Sequence, residues 1–314
     1  MLLRSLKAPR PLEMQQNRLA DFFKETTVVP FESIPTTLMT GVAYLEAGTN
    51  INYRAIFEHV QIYEIPGYQR GKNKKVKIPY PGIPYVVLSA KVDRQIRGIV
   101  KKSSDLEPAK GNKGKLPHQV TLDIALKDKI VNVMVFKDSL KVSGALKIEH
   151  LTETFIFIKA LLLSMQGDFD YYAKTANEAN LKLQQEAAAS GQPIPQFQTV
   201  VPIKLFDKSP LLARLEIEML NVIFDLGFRI RKEEMSRKAA ECSLFSPPEV
   251  TKDAVRILYP MKDEKAKGGK RYFNFRVFHT GKVIYSAKSR REMEGPYRQF
   301  MDFIKQNESD IRFV

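Results

Sequence analysis

The chain has 314 residues, 44% hydrophobic and 27% charged, a balance that supports a sizeable folded core and excludes a disordered polar chain. Fifty Lys and Arg against 35 Asp and Glu leave a net charge of +15, so the expected partners are polyanions. A lone cysteine, Cys242, excludes an intrachain disulfide and a cysteine-based zinc cage, and His59, His118, His150 and His279 lack metal-ligand spacing.

No apolar run approaches the roughly 20 residues that span a bilayer. The start, MLLRSLKAPRPL, carries charges and prolines too early for a signal peptide's apolar stretch. An intracellular protein is expected.

Residues 1–36 lack periodicity and read as an N-terminal extension. A strand is expected from Thr37 through LMTGVAYLE, then a helix in Asn50 to Val60 with Ile51, Ala55 and Phe57 along one side. Residues 67–116 are rich in Lys, Gly and Pro and read as a basic insertion. Within it, YVVLSAKVDRQIRGIV predicts a hairpin turning near Val92-Asp93-Arg94. QVTLDIAL, IVNVMVF and LKVSG then predict three antiparallel strands. A core helix is expected at Ile148 to Met165. An Ala/Gln/Glu-rich helical linker follows over 167–196, stopping at Ser-Gly-Gln-Pro. In the second half the pattern predicts a strand at Thr199 to Leu205 and a helix at Pro210 to Leu226, with Gly227 as its C-cap. Strands follow at AVRILYP, RYFNFRVF and KVIYSA, with a basic loop after the first, and Ser289 to Gln306 is amphipathic.

The halves repeat one order of elements. IVNVMVFKDSLKVSGALK (130–147) and NFRVFHTGKVIYSAKSRR (274–291) both show an apolar strand ending in Phe, a polar turn, a Lys and a strand ending in Ser before a helix. Phe136 corresponds to Phe278 and Ser143 to Ser286, with the first turn one residue shorter.

FHTGKVIYSAKSRR resembles the TATA-box-binding protein motif Phe-x-Ser-Gly-Lys, three apolar residues, Thr-Gly-Ala-Lys. It matches at Phe278, Gly281, Lys282 and Lys288, and the first copy matches at Phe136, Ser143 and Gly144. The basic insertion is more like the divergent TATA-box-binding-protein-like proteins of large nucleocytoplasmic DNA viruses. The resemblance implies an α+β fold, a saddle in which two repeats form one curved antiparallel sheet with helices on the convex face. The repeats would be 37–166 and 197–314, and the saddle would form in a monomer. It also implies a transcription initiation factor that lays its concave sheet on the A·T-leaning minor groove of double-stranded DNA and recruits a TFIIB-like factor and a multisubunit RNA polymerase. Phe136 and Phe278 would be wedges, with Met134, Val142, Ser143, Arg276, Ile284 and Ser286 at or beside the groove. Lys282, Lys288 and Arg290 would lie near phosphates. The sequence departs from the family in two ways. The first wedge of each pair falls at His118-Gln119 and Val250-Thr251, and TLMTGVAY and TVVPIK hold no base-reading asparagine.

Catalysis is not expected. Asp123 with Asp128, and Asp168 with Asp170, are carboxylate pairs without a surrounding constellation. The glycine-lysine stretches lack phosphate-loop spacing, and no cofactor fingerprint occurs. The rival readings are a protein-interaction adaptor that has lost DNA binding and a non-specific nucleic-acid packaging protein.

Overall fold

A computed structural model describes residues 29–63, 85–93, 95–98, 118–127, 129–210, 212–261 and 272–313. The extension before residue 29, most of the basic insertion, Asp128 and the loop 262–271 lie outside them. The chain divides into two compact units, residues 36–220 and residues 1–35 with 221–314.

The first unit begins with strand β1 (Thr36–Leu45) and helix α1 (Tyr53–His59), which Asn52 caps by accepting from the Ala55 N–H at 3.2 Å. Strands β2 (Val86–Val92) and β3 (Gln95–Gly98) form the expected hairpin, turning at Asp93. β4 (Val120–Ala125), β5 (Ile130–Val135) and β6 (Ser139–Ala145) follow as an antiparallel meander, then α2 (Ile148–Ala189). The hydrogen-bonded order is β3-β2-β4-β5-β6-β1, with β7 next. Alternate residues of β5 and β6, such as Val131, Val133, Val135, Leu140 and Val142, are buried. Gly41 of β1 lets Leu151 of α2 pack directly on the strand, since a Cβ there would stand 2.8 Å from Leu151 Cδ1.

Strand β7 (Leu212–Asp225) crosses the boundary between the units. The second unit continues with α3 (Lys232–Glu241), β8 (Ser246–Val250), β9 (Ala254–Pro260), β10 (Tyr272–Phe278), β11 (Lys282–Ala287) and α4 (Arg290–Ile311). Its order is β7-β11-β10-β9-β8. The core is aromatic: Phe275 stacks on Tyr285 at 4.0 Å and on Phe300 of α4 at 4.3 Å, and Phe224 meets Tyr297 edge-on at 5.0 Å. Burial pushes the Tyr285 hydroxyl well above the ordinary tyrosine range and that of Tyr297 up to about 12.

Both units therefore run strand, short helix, a group of antiparallel strands, long helix, as the repeat implied. With β3 set aside, β2-β4-β5-β6-β1 matches β8-β9-β10-β11-β7 position by position. Three expectations are corrected. Residues 210–226 are not a helix: 212–225 is a 14-residue strand, and 199–205 has no regular element. LLARLEIEML is rich in helix formers, but pairing between neighbouring strands overrides propensity. Residues 148–189 form one 42-residue helix with no break at Gly167, whose missing side chain leaves only open space. Helix α3 is unexpected, because RKEEMSRKAAE buries only Met235 and Ala239.

Candidate nucleic-acid interface

The open face of each unit follows from strand alternation. In β10, Phe273, Phe275 and Val277 are buried on the side that carries α4, so Asn274, Arg276 and Phe278 point the other way. In β11, Val283 and Tyr285 are buried, and Tyr285 donates to the Met293 carbonyl of α4 at 2.9 Å. Lys282, Ile284 and Ser286 therefore share the open face with Arg276.

Register fixes the neighbours there. Asn274 lies between Ser286 and Leu258, Arg276 between Ile284 and Arg256, and Phe278 beside Ala254. Arg276 is exposed and its cross-strand neighbour is another arginine. Arg256 reaches Glu249 at 3.3 Å through one guanidinium nitrogen, while its buried Nε has no hydrogen-bond partner among the described residues. Like charges directly opposite across a sheet are destabilising, and Glu249 answers Arg256 alone, so a further anion beside Arg276 is the natural complement.

The first unit repeats the register. Asn132 lies between Ser143 and Asp123, and Met134 between Lys141 and Thr121. Ser143 also faces Thr40 of β1. Asn132 and Ser143 thus stand where Asn274 and Ser286 stand in the second unit. Lys141 forms an ion pair with Glu218 at 2.5 Å.

The turns that follow differ, as their lengths required. Phe136 N–H donates to the Ser139 carbonyl at 2.9 Å across a two-residue turn, Lys137-Asp138. Phe278 instead precedes a three-residue turn closed by Gly281 at φ +90, where a Cβ would run into the Phe228 carbonyl oxygen. Both phenylalanines are half-buried.

Among the expected site residues, the structure brings Arg276, Phe278, Lys282, Ile284 and Ser286 onto one face of the second unit, and Met134 and Ser143 onto one face of the first, with Phe136 at the strand end beside them. Two sit elsewhere. Val142 is 0% exposed and pairs with Val133, so its side chain belongs to the helix-facing core. Arg290 donates to the carbonyls of Phe31 and Ile34, at 3.2 and 2.5 Å, and lies 5.0 Å over the Phe31 ring. It anchors the short 3-10 turn Phe31–Ser33. Lys288 is exposed beyond the end of β11.

Sequence reasoning missed Asn132, Asn274 and Arg256, and read Asp123 only as half of a carboxylate pair. The signal for the asparagines was present: NVMVF (132–136) and NFRVF (274–278) repeat Asn four residues before Phe. The absence of a first-strand asparagine in the second repeat is also corrected, since that strand is β7, which carries Asn221. Asp128 lies outside the described residues; among them Asp123 stands in no carboxylate cluster and accepts from Ser89 and Asn132 at 2.7 and 3.1 Å. Among the described residues no group of three or more His, Cys, Asp or Glu could hold a metal ion. No helix there is long and apolar enough to cross a membrane.

No family model matches the sequence, and no curated protein matches it. It is similar to a solved structure described as Methanococcus jannaschii TBP, at 12% identity and a TM-score of 0.40, covering 87% of this chain and 98% of that one. A likeness of that size fixes nothing about what this chain does.

Proposed function

We propose that the chain is a DNA-binding transcription initiation factor that lays the open faces of its two repeats against duplex DNA. The facing pair Arg256 and Arg276 carries the reading. Two guanidinium groups set opposite one another on a sheet face cost stability; Glu249 offsets Arg256 but not Arg276, and a DNA backbone supplies a row of anions for it. The net charge of +15 acts in the same direction.

Placement in the minor groove rests on the sequence resemblance, and it fits a sheet about 19 Å across its five strands only if the groove is opened. Phe136 and Phe278 at strand ends would then wedge between base steps. Lys282 and Lys288 contribute phosphate contacts. Recruitment of a TFIIB-like factor and a multisubunit RNA polymerase rests on the sequence resemblance alone, and no catalytic step or cofactor belongs to the proposal.

A second reading, an interaction adaptor, draws support from the first unit, whose open face carries the carboxylates Asp123 and Glu218 where phosphate would be repelled. Fluorescence anisotropy with A·T-rich and G·C-rich duplexes across a salt series separates the two. Tight, salt-dependent binding that weakens in Phe136→Ala and Phe278→Ala supports the factor. Binding absent at physiological salt supports the adaptor, and equal binding to every duplex, indifferent to the phenylalanines, supports a packaging protein.

A further inference from the structure

The row of side chains across the open face of the first unit is polar in every strand. Ser89, Asp123, Asn132, Ser143 and Thr40 are successive cross-strand partners in β2, β4, β5, β6 and β1. Asp123, only 4% exposed, sits in the middle of the row's hydrogen bonding. Ser89 Oγ donates to its Oδ2 at 2.7 Å, and Asn132 Nδ2 donates to its Oδ1 at 3.1 Å. A carboxylate can only accept, so it dictates which end of the neighbouring amide faces it. The Asn132 NH2 group turns towards Asp123, and the carbonyl oxygen Oδ1 turns away.

The corresponding row of the second unit is Ser246, Leu258, Asn274 and Ser286. It differs at one place that matters. Leu258 stands where Asp123 stands and offers no acceptor, and Asn274 Oδ1 is buried without a hydrogen-bond partner among the described residues. Among the described residues nothing equivalent to the Asp123 carboxylate sets the Asn274 amide.

The minor groove makes that difference legible to DNA. Both orientations of an A·T pair present only acceptors there, and the exocyclic N2 amine of guanine is the one donor. A fixed protein acceptor meets a partner at G·C and is left unpaired at A·T, whereas an amide free to turn can present its NH2 group to A·T.

We propose that Asp123 is a positioning residue that fixes Asn132 as an acceptor for the guanine N2 amine, so that the first repeat selects a G·C pair where the second accepts A·T. The inference rests on the reading that the open faces lie in the minor groove. It makes the two half-sites unequal, and the protein therefore binds in one direction.

The test uses the full chain and A·T-rich duplexes carrying a single G·C pair stepped through the site, each compared with the same duplex in which inosine replaces guanine. Inosine lacks only the N2 amine, so the major groove is unchanged. At one position, guanine is expected to bind about three- to tenfold more tightly than inosine, the effect of one hydrogen bond. Asp123→Leu, which copies the second repeat, abolishes that ratio while binding to the all-A·T duplex persists. Leu258→Asp creates a second guanine-sensitive position in the other half-site, and it reads out even where Asp123→Leu fails to fold by circular dichroism. Duplex binding with equal guanine and inosine affinities at every position overturns the inference and leaves the DNA reading intact, as does a ratio that survives Asp123→Leu in a folded protein. Failure to bind any duplex overturns both.

Discussion

The two repeats keep the same strand order and the same Asn–Ser register, yet they share almost nothing else. The first packs aliphatic side chains, with Leu122, Ile124, Val133 and Leu151 under its strands, where the second stacks Phe275, Tyr285 and Phe300. On the open faces the contrast is one of charge. The first holds Asp123 and a Lys141–Glu218 pair, and the second holds two facing arginines, one of them paired with Glu249. Alternation along the strands preserves the architecture, because it needs only an apolar residue at every second position. The face away from the helices carries less of that constraint, although Thr40, Ser89 and Asp123 of the first repeat are themselves buried, and it is freer to diverge towards a ligand.

The largest expected break is at the turn that only the second repeat has. Gly281→Ala should cost about 3 kcal/mol or more, since it adds a left-handed residue to a clash with the Phe228 carbonyl. Urea denaturation measures it, and a loss under about 1 kcal/mol would contradict the turn geometry. Next, Val142→Ala should cost about 2 kcal/mol of stability and leave duplex affinity alone. Its neighbour in the alignment of repeats, Ile284 on the open face, should do the reverse. Arg256→Gln and Arg276→Gln should each lower the slope of log affinity against log salt by about 1. In Arg276→Gln the folded state should become no less stable, because the like-charge pair is relieved, whereas Arg256→Gln also gives up the ion pair with Glu249. The same experiment on Thr121 and Met134, which occupy those places in the first repeat, should change the slope little.

The smallest effect concerns pH and centres on two buried tyrosines of the second repeat. Tyr285 and Tyr297 hold their protons more tightly in the fold than in the unfolded chain. The associated stability is complete below the ordinary tyrosine value of about 10 and is lost as pH rises from there through about 12. Tyr297→Phe should flatten the loss of thermal stability across that window, and an unchanged profile would remove Tyr297 from the account.

The hairpins were legible because alternating apolar residues and short polar turns are local signals, and β4, β5, β6, β9, β10 and β11 all carry them. Strand β7 was not legible. Its Leu, Glu and Met residues satisfy helical spacing, and only the strands beside it decide the matter. The open face was half legible. Phe136, Ser143, Phe278 and Ser286 stand out from the repeat, whereas Val142 and Arg290 could be sent to the core and to the Phe31 carbonyls only by knowing what packs behind them. Asp123 was visible as an aspartate on an alternating strand, but its partner Ser89 lies 34 residues away and only the fold brings the two together.

Beyond Met165, helix α2 is largely exposed, and a returning segment without regular structure lies along it. Three helix amides hold that segment by its backbone: Gln166 bonds to Ile203 and Leu205, Asn177 to Val200, and Gln184 to Pro195. Their spacings of 11 and 7 residues, at about 100° per residue, place all three within about 20° of a single line down the helix. The helix is therefore phase-locked to its return. Removing one residue between the amides would swing the far end by about 100° and release the segment, while removing seven would shorten the arm by about 10 Å and keep the helix in phase.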